Sequence, residues 1–430
     1  MPAPASLTPT PRRKLSLRKR IGFNIVLFVL VLACVEGISL LALAMRFGGW
    51  AEAAHDLDAA LRADIHASPH EVPEDVLHPY LGWVRRPPSP RKADYGKVND
   101  WGFYDPHSPF HRRSPDKLII AVMGGSVAEE LGRHVGSLER AVRESPRWAH
   151  RKIEFVHLAL EGYKQPQQLA TINYLLALGA QFDVVVNLDG YNEMVLPGVE
   201  NVPHHVYPAF PRGWHARVTE TSDLTTLRQI GRIVYRREQI RDTARFARQS
   251  LLAWSPTVCL GAMCYERALE DQLLTEQVQL GTEEASTTYA ATGPTQKFGS
   301  DADLEEFCAD LWKRASLQLD EVCRANGIVY IHCLQPNQYV ADSKPMNAAE
   351  QETAIDAGHP GRRFVEGGYP LLRQRGAELR DRGVRFFDLT TIFADHPEAT
   401  YRDNCCHMNQ HGYELIGARI GEIVRAELDK

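Results

Sequence analysis

The chain has no excess of basic charge. Lys and Arg number 49 against 54 Asp and Glu, for a net charge of -5 at pH 7, so no basic field marks a nucleic-acid partner. Cysteine is scarce, with eight in 430 residues, too few for a disulfide scaffold. No cysteine spacing matches a zinc site. No internal repeat recurs at a fixed period, which argues against a solenoid or propeller. What remains, 24% charged and 44% hydrophobic, is an ordinary globular composition. The length suits one large α/β domain with insertions, or two domains.

The N-terminus is distinctive. Residues 1–20 are proline-rich and then basic, with Arg12, Arg13, Lys14, Arg18, Lys19 and Arg20. Ile21 to Met45 follows as 25 mostly apolar residues, enough to cross a bilayer as a helix. The preceding cations predict a cytoplasmic tail, so the body from about Arg46 onward is expected to be periplasmic or extracellular. Ala42-Leu43-Ala44 resembles a signal-peptidase site, but the apolar run exceeds a usual signal core, and the expectation is an uncleaved anchor. Glu36 lies inside this run, where a charge is costly. It is expected to be protonated or paired with another helix, and either points to a membrane-protein partner. A body outside the cytoplasm permits disulfides, and Cys259 with Cys264 is the expected local bridge.

Residues 46–116 read as a helical stalk (46–80) and a lead-in segment. His78–Trp83 and Asn99–Phe103, aromatic and glycine-containing, are expected to pack the lead-in against the main domain, 117–430. There, apolar runs at 118–123, 153–160, 182–188, 328–332 and 384–389 read as strands. Helices are expected at 126–144, 165–178, 303–326, 368–382 and 410–428. Strands alternating with helices predict a three-layer α/β/α, flavodoxin-like parallel sheet of about five strands. The rhythm breaks over 197–300, read as one largely helical insertion over the C-terminal edge of the sheet. It contains a long helix, 223–254, with seven arginines: a solvated face, or one that meets an anionic polysaccharide or lipid headgroups. Residues 277–300 read as a mobile loop.

The chain is organised around Lys117–Ser126, a buried strand followed by Gly124, Gly125 and Ser126. A serine on a strand-to-helix turn suits a nucleophile. The rival is a capping box formed by Ser126 with Glu129. Reactive groups in such sheets gather at the carboxyl ends of strands, and Ser126, Gly162 and Asn192 all fall there. Near the C-terminus, Asp403 precedes His407 in a loop entering a helix, so one loop offers both a base and the carboxylate that orients it.

In these blocks the chain resembles the SGNH (GDSL-type) hydrolase superfamily. Gly124-Gly125-Ser126 stands for its first block, Gly162 for the second, Gly190-Tyr191-Asn192-Glu193 for the third. Asp403 and His407, with Asn409 and Gly412, stand for the last. The resemblance covers about 118–195 and 303–428. It implies that Ser126 attacks an ester carbonyl, His407 is the general base, and Asp403 orients it. The Ser126 and Gly162 backbone N–H groups and the Asn192 side chain then form the oxyanion hole, with no cofactor or metal. Gly125 and Glu193 replace aspartates of the family pattern, and Asn404 stands where its carboxylate usually lies, three residues before the histidine. Either Asp403 or Asn404 therefore orients His407.

Together these features lead to the expectation of a membrane-anchored esterase that removes a small acyl group, such as O-acetyl, from an extracytoplasmic glycan. A polysaccharide O-acyltransferase with the same triad and a non-catalytic glycan-binding or scaffold protein stay open. Other candidates carry less. His407 and His411 have helical spacing but no third metal ligand. Cys405 and Cys406 are two thiols or a vicinal disulfide beside the base. His204 and His205 line a cleft or lie on the surface. Asp189 supports the turn before Gly190. Tyr163 and Tyr191 stack on a sugar or pack in the core.

Overall fold

The structure, a computed structural model, describes residues 16–62, 75–86, 97–218, 224–282 and 289–430. The basic tail to residue 15, the end of the expected stalk helix (63–74), part of the lead-in (87–96) and 283–288 of the polar loop lie outside the described residues, as do 219–223. The chain divides into two compact units, 1–71 with 224–283 and 72–223 with 284–430.

The second unit holds the sheet. A hairpin of β1 (Asp75–His78) and β2 (Gly82–Arg85) precedes five strands: β3 (Lys117–Gly124), β4 (Lys152–His157), β5 (Val184–Asp189), β6 (Val329–Leu334) and β7 (Arg385–Asp388). The five are parallel, in the order β4-β3-β5-β6-β7. This is the order expected of a flavodoxin-like sheet, with its switch point between β3 and β5. Leu118 to Met123 are fully buried because β3 is covered on both faces and paired on both edges, which is why it reads as an unbroken apolar run. Helices Ser126–Arg133, Val135–Arg143 and Gln410–Leu428 form one packed group, and Gln167–Ala177, Asp301–Ala325 and Arg362–Asp381 another.

Several boundaries differ from expectation. The helix expected over 126–144 breaks at His134, and the run to Leu160 leaves the sheet at His157. The helix expected from Gly368 begins at Arg362 and carries Pro370 inside it. Gly367 and Gly368 are not breakers here: Glu305 and Met194 occupy the space their side chains would take. Of the expected stalk helix, the described residues are helical over Trp50–Arg62, while 75–85 is a hairpin. Trp83 and Phe103 of the lead-in are buried in the sheet unit's core. Residues 197–300 do not stay together: 224–283 groups with the N-terminal helices, and the flanks remain with the sheet. The polar loop is shorter than expected, since one helix runs to Thr282 and another spans Tyr289–Thr292.

The first unit contains helices Leu17–Phe47, Trp50–Arg62, Leu224–Gln249 and Pro256–Thr282. Leu17–Phe47 is long and apolar enough to cross a membrane. The Glu36 carboxylate meets its partners within the chain. Ser255 Oγ donates to it at 2.6 Å, the Thr257 N–H at 2.9 Å and the Thr257 hydroxyl at 3.0 Å. These groups open a helix, where backbone donors and the dipole favour an anion. Among the arginines of the long helix, Arg236 meets Glu276, Arg245 meets Asp242 and Arg248 meets Asp58. Cys259 and Cys264 are both free, one buried and one exposed on the same helix, so the expected local bridge does not form.

One buried network holds the end of β5. Asp189 accepts from Trp312 Nε1 at 2.7 Å, His332 Nε2 at 2.8 Å and Asn187 Nδ2 at 2.7 Å. Asp189→Ala would remove the acceptor of these three buried donors and of Gln165 Nε2, which lies 3.4 Å away. The expected cost is about 3 kcal/mol or more, read as a clear fall in the unfolding midpoint of the sheet unit by calorimetry. A midpoint within a degree or so of the parent would contradict this account.

Candidate active site

Ser126 is the first residue of its helix. Gly125 is the N-cap, and no side chain caps this end, so the capping-box reading fails. Glu129 instead accepts from the Glu161 N–H at 2.8 Å and pairs with Arg133. The Ser126 hydroxyl lies 2.8 Å from His407 Nε2. His407 Nδ1 lies 2.7 Å from Asp403 Oδ2. A carboxylate only accepts, so Nδ1 carries the proton and Nε2 accepts from the serine hydroxyl. The other Asp403 oxygen accepts the backbone N–H groups of Cys405, Cys406 and His407 at 3.0 to 3.2 Å. The loop thus curls around Asp403, and four-residue spacing brings carboxylate and ring together. Asn404 turns away, its side chain 3.4 Å from Asp356.

The electrostatics follow from this geometry. For Asp403, burial opposes the anion, but the hydrogen bond and charge of His407 and the backbone donors outweigh it and hold the carboxyl at about 2. For His407, burial opposes the cation. The hydrogen bond and charge of Asp403, with Cys405 and Glu130, outweigh it, and the net shift is upward. Glu130 is buried and pairs with Arg402, next to Asp403 in the chain.

Asn192 stands at the start of the helix after β5. Its Nδ2 donates to the Tyr163 carbonyl at 2.8 Å, which leaves the second amide hydrogen for another acceptor. A side chain at Gly125 would put its Cβ 2.1 Å from this Nδ2. The glycine at this position is therefore a matter of space: it lets the Asn192 amide lie beside Ser126. Glu193 accepts from the Gly190 N–H at 2.8 Å, the Gln165 N–H at 3.0 Å and Gln168 Nε2 at 3.1 Å. Burial first, then the Asp189 charge, pushes its carboxyl up to about 8. Glu193 pins the turn that presents Asn192. Gly162 lies after β4 against the Arg212 side chain. Buried Lys164 donates to the Pro208 and Phe210 carbonyls at 2.5 and 2.6 Å, fastening the proline- and aromatic-rich segment to the sheet unit.

The remaining sequence candidates separate. Tyr163 and Tyr191 are buried packing residues: Tyr163 sits edge-on to Trp83, and the Tyr191 hydroxyl lies 3.3 Å from Cys405 Sγ. His204 and His205 are exposed, and His204 stacks on His215. His411 bonds Glu398 at 2.8 Å, away from the His407 ring, whose two nitrogens are taken by Ser126 and Asp403. Cys405 and Cys406 are free thiols with sulfurs 3.6 Å apart. Their hydrogen bond holds the Cys405 thiol down to about 7 and raises that of Cys406, which burial raises further.

One set of residues escaped the sequence reading. Asn337 Nδ2, Gln338 Nε2 and the Tyr339 hydroxyl donate to the carbonyls of Cys405, Asp403 and Asn404 at 3.1, 3.1 and 2.7 Å. They brace the loop that carries Asp403 and His407. Gln335-Pro336-Asn337-Gln338-Tyr339 is a polar run beyond the carboxyl end of β6, the signal that exposed Ser126 and Asn192. A cavity of about 1080 Å³ adjoins this brace, lined by Gln338, Tyr339, Arg362, Glu366 and Arg373 among others. No protein-family model matches the chain, and no curated protein matches it.

Two outcomes follow if Ser126 is activated by His407. Asp403→Asn lowers kcat by about 10⁴, as loss of the tautomer-fixing carboxylate does elsewhere, while Asn404→Ala leaves it nearly unchanged. Turnover requires neutral His407, so kcat/KM of the parent rises with pH through a value above the ordinary histidine pKa of about 6.5. Asp403→Asn moves that rise to lower pH. A pH–rate profile with the rise unmoved would remove Asp403 from this role.

Proposed function

We propose that the sheet unit is an SGNH-type serine ester hydrolase that removes a small acyl group, such as O-acetyl, from an extracytoplasmic glycan. The observation that carries the reading is the unbroken hydrogen-bonded line from Ser126 through His407 to Asp403, with contacts of 2.8 and 2.7 Å.

In this mechanism Ser126 Oγ attacks the ester carbonyl carbon while its proton passes to His407 Nε2. Asp403 stabilises the imidazolium and does not take the proton. The tetrahedral oxyanion is held by the Ser126 and Gly162 N–H groups and the free Asn192 N–H. The C–O bond breaks, the alcohol leaves with the proton from His407, and an acyl-Ser126 remains. Water then attacks the acyl carbon as His407 takes its proton. The carboxylic acid departs, and Ser126 regains a hydrogen. Ser126 and His407 are both half-buried, open enough for such a substrate.

Location supports the substrate class. The apolar helix Leu17–Phe47 starts at Arg18, Lys19 and Arg20, so the positive-inside rule favours a cytoplasmic N-terminus and an outer sheet unit.

The test is ester hydrolysis by the detergent-solubilised full chain on a chromogenic acetyl ester and on an O-acetylated polysaccharide. Ser126→Ala and His407→Ala abolish it, and Asn192→Ala lowers kcat by about 10²–10³. Equal activity in parent, Ser126→Ala and His407→Ala sinks the mechanism. Acyl groups gained by the glycan, with no free acid released, would reassign the site to acyl transfer.

A further inference from the structure

The helical unit exposes apolar side chains at one end. Between Leu224–Gln249 and Pro256–Thr282 the chain turns through Ser250-Leu251-Leu252-Ala253-Trp254-Ser255. Leu251 is 95% exposed, Trp254 63% and Leu252 46%. One exposed leucine needs no explanation. Two leucines and a tryptophan on a single turn form an apolar tip that water does not favour.

A separate observation fixes the level of this tip. Immediately after Trp254, Ser255 and Thr257 bond Glu36 of Leu17–Phe47, and the Thr257 hydroxyl also meets Ser39 at 3.0 Å. From there Pro256–Thr282 runs beside the apolar helix in the same direction. Leu43 shares a core with Cys259, and the Arg267 guanidinium lies 4.9 Å from the centre of the Phe47 ring. The tip is therefore level with Glu36, about 16 Å short of Phe47 along the helix axis. The apolar stretch before Glu36, Ile21 to Val35, is only about 22 Å long. A hydrocarbon core of about 30 Å entered at Ile21 extends past Glu36 to near Leu40.

We propose that the 250–254 turn is a second membrane contact, a wedge whose Leu251, Leu252 and Trp254 enter the leaflet nearer Phe47. Its partner is the lipid bilayer. The proposal rests on the reading of Leu17–Phe47 as a membrane span. Glu36 then has a physical role: it fixes the wedge to the span at the required depth. Tryptophan suits the membrane–water boundary. Arg245 and Arg248, on the last turns of the preceding helix, are paired with Asp242 and Asp58.

The test is photolabelling of the full-length chain in phosphatidylcholine liposomes containing a lipid with a diazirine in its acyl chain. Adducts are mapped by mass spectrometry, with 21–45 reporting on the span. Adducts on both 21–45 and 250–254 are expected. Leu251→Glu combined with Leu252→Glu lowers the yield on the turn by roughly tenfold and leaves 21–45 unchanged. Adducts on 21–45 without any on 250–254 overturn the wedge and leave the span standing. Adducts on neither overturn both. An unchanged yield on the turn in the double variant, or cross-links from 250–254 to a second copy in place of lipid, overturns the wedge alone.

Discussion

The candidate site depends on the pairing of β3 with β5. Their register sets Gly124 opposite Leu188, at the point where the strand order reverses. The chain leaves β3 through Gly124, at φ 142°, where any Cβ would fall 2.1 Å from the Leu188 carbonyl oxygen. Two backbones thus approach with nothing between them. The helices that begin just beyond, at Ser126 and Tyr191, start side by side. Serine and asparagine come together because two strands pair at a switch point, and two glycines keep the gap clear.

The same three side-chain types occur twice in the sheet unit. Ser316 Oγ lies 2.8 Å from His332 Nδ1, and His332 Nε2 lies 2.8 Å from Asp189. By hydrogen bonding alone this set rivals Ser126, His407 and Asp403. Burial separates them. Ser316 and His332 are 0% exposed, so no substrate carbonyl reaches that serine. The set ties a helix to two central strands, and its polar groups are satisfied by one another. In the other set Ser126, His407 and Asp403 are only half-buried, and the Asn192 amide lies against Gly125, next to the serine in the chain. Access to solvent is what separates the two sets.

The loop from Asp403 to His407 shows how a departure from a familiar spacing is absorbed. Asp403 lies one residue further from His407 than the resembled pattern has it. Three backbone N–H groups converging on one carboxylate oxygen take up the extra residue, and donors from 337–339 hold the loop's carbonyls in place. Orientation of the His407 ring is thus distributed between a local turn and a brace from the end of β6. In the helical unit Glu36 follows the same logic: a charge that is costly in an apolar helix is met by the opening of a second helix.

The sequence alone determined the chain order of the five parallel strands and the helices between them, the buried run of β3, the apolar N-terminal helix, and the placing of Ser126, Gly162 and Asn192 beyond strand ends. These rest on local signals: unbroken apolar runs, helical periodicity and turn-forming glycine. Only the tertiary structure decided that Asp403 and not Asn404 meets His407, because a loop's curl depends on donors 65 residues or more away. It also decided that Ser126 is not a cap, that Gly125 makes room for Asn192, and that 224–283 belongs with the N-terminal helices. The last two are contacts between residues distant in the chain, and no pattern of neighbours encodes which distant backbone or side chain fills a given space.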